Sequence, residues 1–262
     1  MGLRVTIIQT ELAWENTEAN LDFFETKIQS VKDSDLIVLP ETFTTGFSMN
    51  VQDLAEEMSG ETLLRMKKWS EASGAVIVGS YIVRVVQRCY NRLIWMNPDG
   101  SYETYDKRHL FSLGNEHQHF KQGESRLICS VKGWKVCPMI CYDLRFPVWS
   151  RNKLVSEREA EYDILVYIAN WPYKRISAWD ALLKARAIEN QAYVVGVNRI
   201  GLDGNNIDHK GHSTIFDPNG EQLCDMEGRE SVVTLELNGD LLEKTRRSLP
   251  FLKDSDEFKI LP

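Results

Sequence analysis

The stretch Val136-Cys137-Pro138-Met139-Ile140-Cys141-Tyr142-Asp143-Leu144-Arg145-Phe146-Pro147 starts as an apolar run and turns polar at Cys141. Trp134–Ile140 reads as a buried strand, so Cys141 stands where the chain leaves a sheet. The carboxyl ends of strands in α/β sheets are where functional sites gather. Working outward, strand-like and helix-like segments alternate. Leu3–Gln9, Asp35–Leu39, Asp163–Ala169 and Ala192–Asn198 read as strands, and Ala75–Val86 is rich in strand formers. Asn16–Val31 reads as a helix, because Leu21, Phe24, Ile28 and Val31 recur at helical spacing and form one apolar stripe. Thr62–Ser73 and Ile176–Asn190 also read as helices, with Gly74 as a stop signal. Asn97-Pro98-Asp99-Gly100 predicts a hairpin between Tyr90–Asn97 and Ser101–Asp106, and Asp217-Pro218-Asn219-Gly220 predicts a second. Together these elements predict a layered α/β fold with a mixed sheet.

Composition narrows the class of protein. The chain has 262 residues, 43% of them hydrophobic, enough to bury a sizeable core without staples. Lys and Arg number 31 against 38 Asp and Glu, a net charge of −7, which argues against nucleic acid as a partner. Its longest apolar runs are too short to cross a bilayer. Met1-Gly2-Leu3-Arg4 leads straight into a strand, with no leader pattern, and the five cysteines include no C-x-x-C pair. A reducing cytoplasm is the expected location. No linker divides residues 1–262, so one domain is expected. Residues 245–262 carry Leu249, Pro250, Phe251, Leu252, Phe258, Ile260 and Leu261 among charges without periodicity. That pattern fits either a disordered tail or an arm docked on a partner subunit, and the apolar content favours docking.

Three reactive residues each follow a predicted strand. Glu41 comes directly after Leu36-Ile37-Val38-Leu39-Pro40. A carboxyl there is expected to be partly buried and suited to proton transfer, although a loop glutamate in solvent or in a helix-capping role fits as well. Lys107, in Tyr105-Asp106-Lys107-Arg108-His109-Leu110-Phe111, leaves the first hairpin as a fixed cation for an oxyanion or as part of an ordinary basic loop. Cys141 is a candidate nucleophile, whereas Cys89, Cys129, Cys137 and Cys224 read as small buried hydrophobes. His109, His117 and His119 cluster around Glu116, but no fourth ligand stands at metal-site spacing, and no metal is expected. No glycine-rich phosphate loop is present, so no nucleotide cofactor is expected.

Taken together, these three segments resemble the signatures of the nitrilase superfamily of carbon–nitrogen hydrolases. The likeness continues through Ala169-Asn170-Trp171-Pro172, Ala185-Arg186-Ala187-Ile188-Glu189-Asn190 and Gly211-His212-Ser213-Thr214-Ile215-Phe216-Asp217-Pro218-Asn219-Gly220-Glu221. Gly114-Asn115-Glu116-His117-Gln118-His119-Phe120 is similar to the ω-amidase branch, which hydrolyses the terminal amide of 2-oxoglutaramate and 2-oxosuccinamate. The resemblance implies a four-layer αββα sandwich, no cofactor and a homodimer or larger assembly. It implies a triad of Glu41 as base, Lys107 as cation and Cys141 as nucleophile, with Glu116 as a second glutamate that orients Lys107 or the substrate amide. On that reading Lys107 and the backbone N–H of Tyr142 stabilise the oxyanion, and the charge of Lys107 lowers the pKa of the thiol.

The far end of such a substrate is a carboxylate or 2-oxo acid. Arg145, Arg175 and His117 are candidates to bind it, with Tyr142, Asn170 and Trp171 as walls or hydrogen bonders. Competing structural readings pair Arg145 with Asp143 and Arg186 with Glu189, and treat Trp171 as packing. The same triad would serve an N-carbamoyl amino acid, an aliphatic amide or a nitrile. A binding protein that keeps the fold without catalysis is the non-enzymatic alternative.

Overall fold

The computed structural model describes residues 2–157 and 159–260. Two six-stranded sheets form its centre. The first runs in the order Ser231–Asn238, Gly2–Gln9, Leu36–Val38, Val76–Val85, Arg88–Met96, Tyr102–Asp106. The second runs Gln222–Asp225, Thr214–Phe216, Tyr193–Asn198, Ile164–Ala169, Trp134–Ile140, Cys129–Val131. In each sheet three parallel strands form the middle, flanked by antiparallel pairs. The mixed character follows from the connections. Helical crossovers build the parallel part, and the tight turns at Asn97–Gly100 and Asp217–Gly220 build the antiparallel part.

Alternation along the strands sorts residues between layers. Leu36 and Val38 face the space between the sheets, while Ile37 faces the helices Thr17–Ser30 and Glu61–Ser73. Leu21, Phe24 and Ile28 of the first helix meet Met66 and Trp69 of the second in that outer layer. On the other side the helix Ile176–Asn190 buries Trp179, Leu183 and Ala187 against the second sheet. The result is the αββα sandwich that the resemblance implied.

Most predicted elements reappear. Asn16 caps the first helix by accepting from the Ala19 N–H at 3.1 Å, and Gly74 ends the second with a left-handed φ of 68°. The strand Ser231–Asn238, the short ladder of Ile200–Leu202 with Asp208–Lys210, and the helix Gly239–Ser248 are additions to the elements expected from the sequence. That helix takes in Thr245–Ser248, the first four residues of the expected arm. Arg246 fastens the helix by donating to Asp163 Oδ1 at 2.7 Å and to the carbonyls of Tyr162 and Gln191. Leu252 is buried beyond it, whereas Leu249, Phe251, Phe258 and Ile260 stay exposed. Leu261 and Pro262 lie outside the described residues.

Gly196 sets how closely the helix Ile176–Asn190 approaches the second sheet. A Cβ there would stand 2.5 Å from Leu183 Cδ1 and 3.0 Å from Trp179 Cζ2, both on fully buried side chains. Gly196→Ala is therefore expected to destabilise the fold by about 1–3 kcal/mol through overpacking. Urea denaturation measures this, and an unchanged midpoint would show that the layer is loosely packed.

Candidate active site

The reactive groups come from the carboxyl ends of strands in both sheets. Glu41 follows Leu36–Val38, Lys107 follows Tyr102–Asp106, Cys141 follows Trp134–Ile140, and Asn170 follows Ile164–Ala169. Facing sheets bring the four ends together, although they are far apart in the chain. The turns that carry two of them are strained. Cys141 has φ 44° and Thr42, next to Glu41, has φ 42°, both in the left-handed region. Such conformations cost about 1–3 kcal/mol and persist only where surrounding contacts hold them.

Glu41 is fully buried and both of its oxygens are engaged. Oε1 accepts from Asn91 Nδ2 at 2.8 Å and Lys107 Nζ at 2.9 Å. Oε2 accepts from the Asn170 backbone N–H at 2.8 Å. Asn170 Nδ2 also donates to the Glu41 carbonyl at 2.7 Å and to Thr42 Oγ1 at 3.1 Å. The Lys107 ammonium, equally buried, bridges Glu41 to Glu116 at 3.0 Å and lies 4.9 Å from the Phe47 ring centre. Glu116 is fixed in turn by the Phe111 N–H. Its own pKa is raised by burial, which the charge of Lys107 only partly offsets.

The electrostatics of Cys141 are set by more than Lys107. Burial raises the pKa of Cys141 well above the ordinary thiol value, and the negative charges of Glu41 and Glu116 raise it further. Lys107 acts in the lowering direction, as the sequence implied, but it does not prevail. A hydrogen bond to Glu41 also favours the protonated thiol. Burial would lower the pKa of Lys107, but Glu116 and Glu41 outweigh it and hold the ammonium charged. The resting site therefore pairs a neutral thiol with a permanent cation and a hydrogen-bonded carboxylate.

Around this centre the remaining candidates take distinct places. Tyr142 packs edge-on against Phe111 and Phe146, each ring centre 5.1 Å away. A cleft of about 410 Å³ is lined by Tyr142, Phe146, Arg108, His109, His117 and Gln122. Trp171 is buried and held by Asn198 Oδ1 at 2.7 Å and the Arg175 carbonyl at 2.8 Å. The Arg145 guanidinium lies 4.7 Å from the Trp171 ring centre, and that of Arg175 lies 5.2 Å from the Phe111 ring centre. Among the described residues neither arginine pairs with a carboxylate.

The expected Arg145–Asp143 pair does not form, because Asp143 is wholly occupied by Tyr105, His109 and Ile140. Arg186 does pair with Glu189, at 3.0 Å. The histidines do not gather on Glu116. His109 turns to Asp143, and His117 and His119 are exposed. Among the described residues no group of three or more His, Cys, Asp or Glu side chains is arranged for a metal ion. Asn91 carries no signal in the sequence. It lies inside a strand, and its role rests on a bond to a residue 50 positions away. No helix among the described residues is long and apolar enough to cross a membrane.

Burial and the two carboxylates place the Cys141 titration above that of a free cysteine, about 8.5. Removing one negative charge must move it down, so Glu41→Gln should shift the alkylation profile of Cys141 toward lower pH. Iodoacetamide labelling rates against pH, read by peptide mass, check both signs. A wild-type inflection below the free-cysteine value would contradict this electrostatic description.

Comparison with known proteins gives the family. The family profile for carbon-nitrogen hydrolases matches residues 4–247. The chain is 40% identical over 261 residues to omega-amidase YafV of Escherichia coli K12, covering 99% of each chain. It is 32% identical over 258 residues to the 2-oxoglutaramate amidase of Bacillus subtilis 168, covering 97% of this chain and 98% of the relative. Among solved structures it is similar to XC1258 of Xanthomonas campestris, a CN-hydrolase superfamily protein with an arsenic adduct in its active site. That likeness has a TM-score of 0.97 and 40% identity over 99% of each chain. The chain thus belongs to the carbon-nitrogen hydrolase family, as an amidohydrolase of the nitrilase superfamily.

Proposed function

We propose that the protein is a thiol amidohydrolase that cleaves the terminal amide of small 2-oxo dicarboxylic acid monoamides, 2-oxoglutaramate and 2-oxosuccinamate being the type. The observation that carries the reading is the convergence of Cys141 with Lys107 and Glu41, since each of the three alters the electrostatics of another. Because the thiol rests protonated, its proton passes to Glu41 as sulfur attacks the amide carbon. Lys107 and the Tyr142 N–H stabilise the oxyanion. Glu41 hands the proton to the departing nitrogen, ammonia leaves, and a Cys141 thioester remains. Glu41 then takes a proton from water as that water attacks the thioester, and returns it to sulfur as the acid departs.

The substrate class rests on two further points. Arg145 and Arg175 are guanidiniums on aromatic faces with no carboxylate among the described residues to satisfy them. A substrate carboxylate supplies that partner, with the planar fork suited to bidentate contact. The second point is the likeness to an omega-amidase and a 2-oxoglutaramate amidase. All five cysteines are free, consistent with work in a reducing cytoplasm. The exposed apolar side chains Leu249, Phe251, Phe258 and Ile260 fit the face of a homodimer.

Ammonia release is expected from 2-oxoglutaramate, with far less from an N-carbamoyl amino acid or an aliphatic nitrile, and none in Cys141→Ala. Arg145→Met and Arg175→Met should each raise KM by about 10–100-fold, the worth of one charge-assisted hydrogen bond. Preference for the carbamoyl compound, or unchanged KM in both arginine variants, would redirect the substrate assignment. Full turnover in Cys141→Ala would remove the mechanism.

A further inference from the structure

Asp143 is fully buried, and its carboxylate accepts four hydrogen bonds. Oδ2 accepts from the Tyr105 hydroxyl at 2.7 Å and the Ile140 N–H at 3.0 Å. Oδ1 accepts from the His109 N–H at 3.0 Å and from His109 Nδ1 at 2.8 Å. A carboxylate only accepts, so the Nδ1 of His109 carries the hydrogen.

The identity of these donors matters more than their number. Tyr105 and His109 stand two residues before and two residues after Lys107, and Ile140 immediately precedes Cys141. One carboxylate thus joins the segment that carries the cation to the turn that carries the sulfur. Both attachments on the lysine side are themselves braced. The Tyr105 oxygen accepts from Trp149 Nε1 at 3.0 Å and from the Arg108 N–H at 3.3 Å. The His109 ring stacks on Phe146, with centres 3.8 Å apart and an interplanar angle of 6°. On the cysteine side, the bond to Ile140 N–H stabilises the strand end where Cys141 takes its left-handed φ.

We propose that Asp143 is a positioning residue that sets the separation of Lys107 from Cys141, acting through Tyr105, His109 and Ile140. The proposal deepens the reading of Lys107 and Cys141 as a reacting pair and rests on it. Without the tie, the lysine segment and the cysteine turn, which leave different sheets, lose their direct connection and can shift relative to each other. A displacement on the order of 1 Å between reacting groups costs about 100-fold in rate.

Asp143→Asn puts an amide NH₂ against two of the four donors. Its kcat on the preferred amide is expected to fall about 100-fold with KM nearly unchanged. A milder pair of variants covers the case in which Asp143→Asn does not fold. His109→Phe keeps a ring on Phe146 and the backbone N–H bond to Asp143 but removes the side-chain donor, and should lose about tenfold in kcat, as for one hydrogen bond to a charge. His109→Asn restores an N–H donor to Asp143 and should recover most of that loss. The alkylation profile of Cys141 separates positioning from stability. Because Lys107 lowers the thiol pKa, moving it away must shift the profile of His109→Phe further to alkaline pH. A lower melting temperature with unchanged kcat and an unshifted profile in folded His109→Phe would overturn the proposal. Turnover in Cys141→Ala would overturn both this proposal and the nucleophile on which it rests. An inert Cys141→Ala beside a fully active Asp143→Asn would overturn the tie alone.

Discussion

The site depends on one ammonium, that of Lys107, held between the carboxylates of Glu41 and Glu116 with all three groups out of water. Burying one such ion costs several kcal/mol even after relaxation, and the cost is recovered only through close, fully hydrogen-bonded partners. The partners are present here. Asn91 and Asn170 donate to Glu41, and Phe111 donates to Glu116. Burial already raises the pKa of the neighbouring sulfur, and two negative charges against one positive, leaving the cluster formally one unit negative, raise it further. An anionic thiolate would add a second uncompensated charge, so the thiol stays protonated. The arrangement favours a proton that moves during attack over a nucleophile ionised in advance.

The fold supplies this cluster by pairing two sheets whose strands end on the same side. No single βα unit brings an acid, a cation and a sulfur together. Glu41 and Lys107 arrive from the first sheet, and Cys141 and Asn170 from the second. Contacts between the sheets therefore act on the chemistry as well as on stability. The Asn170 N–H binding Glu41 is one such contact, and the Tyr105 hydroxyl binding Asp143 is another. Beyond the reacting groups, the guanidiniums of Arg145 and Arg175 rest on Trp171 and Phe111. A cation over a ring face keeps its N–H donors, leaving them for an anionic substrate.

Much of this is legible in the amino-acid sequence. The apolar runs ending at Glu41 and Cys141, and the hairpin ending at Lys107, locate the reactive positions from local pattern. Asn16, Gly74 and the two Asn/Asp-Gly turns mark element boundaries through side-chain and backbone preferences that operate within a few residues. Less legible is whatever depends on distant pairing. Asn91 reads as an ordinary strand residue, and Asp143 as an ion-pair mate for nearby Arg145, until the tertiary fold supplies Glu41, Tyr105 and His109. The net direction of the Cys141 shift is hidden for the same reason, because a lysine and two glutamates are visible in motifs but the depth at which the fold buries the sulfur is not. The helix Gly239–Ser248 is hidden by polarity, since most of its surface faces water and only Leu242 and Thr245 are buried.

On this mechanism the sulfur of Cys141 forms a covalent bond to the acyl group of an amide. Rapid acid quench of the enzyme turning over 2-oxoglutaramate, followed by peptide mass analysis, tests it directly. An acyl mass increment is expected on the peptide bearing Cys141, labile to hydroxylamine and absent from the peptides bearing Cys89, Cys129, Cys137 and Cys224. Turnover with no hydroxylamine-sensitive adduct, or with the adduct on another residue, would contradict it.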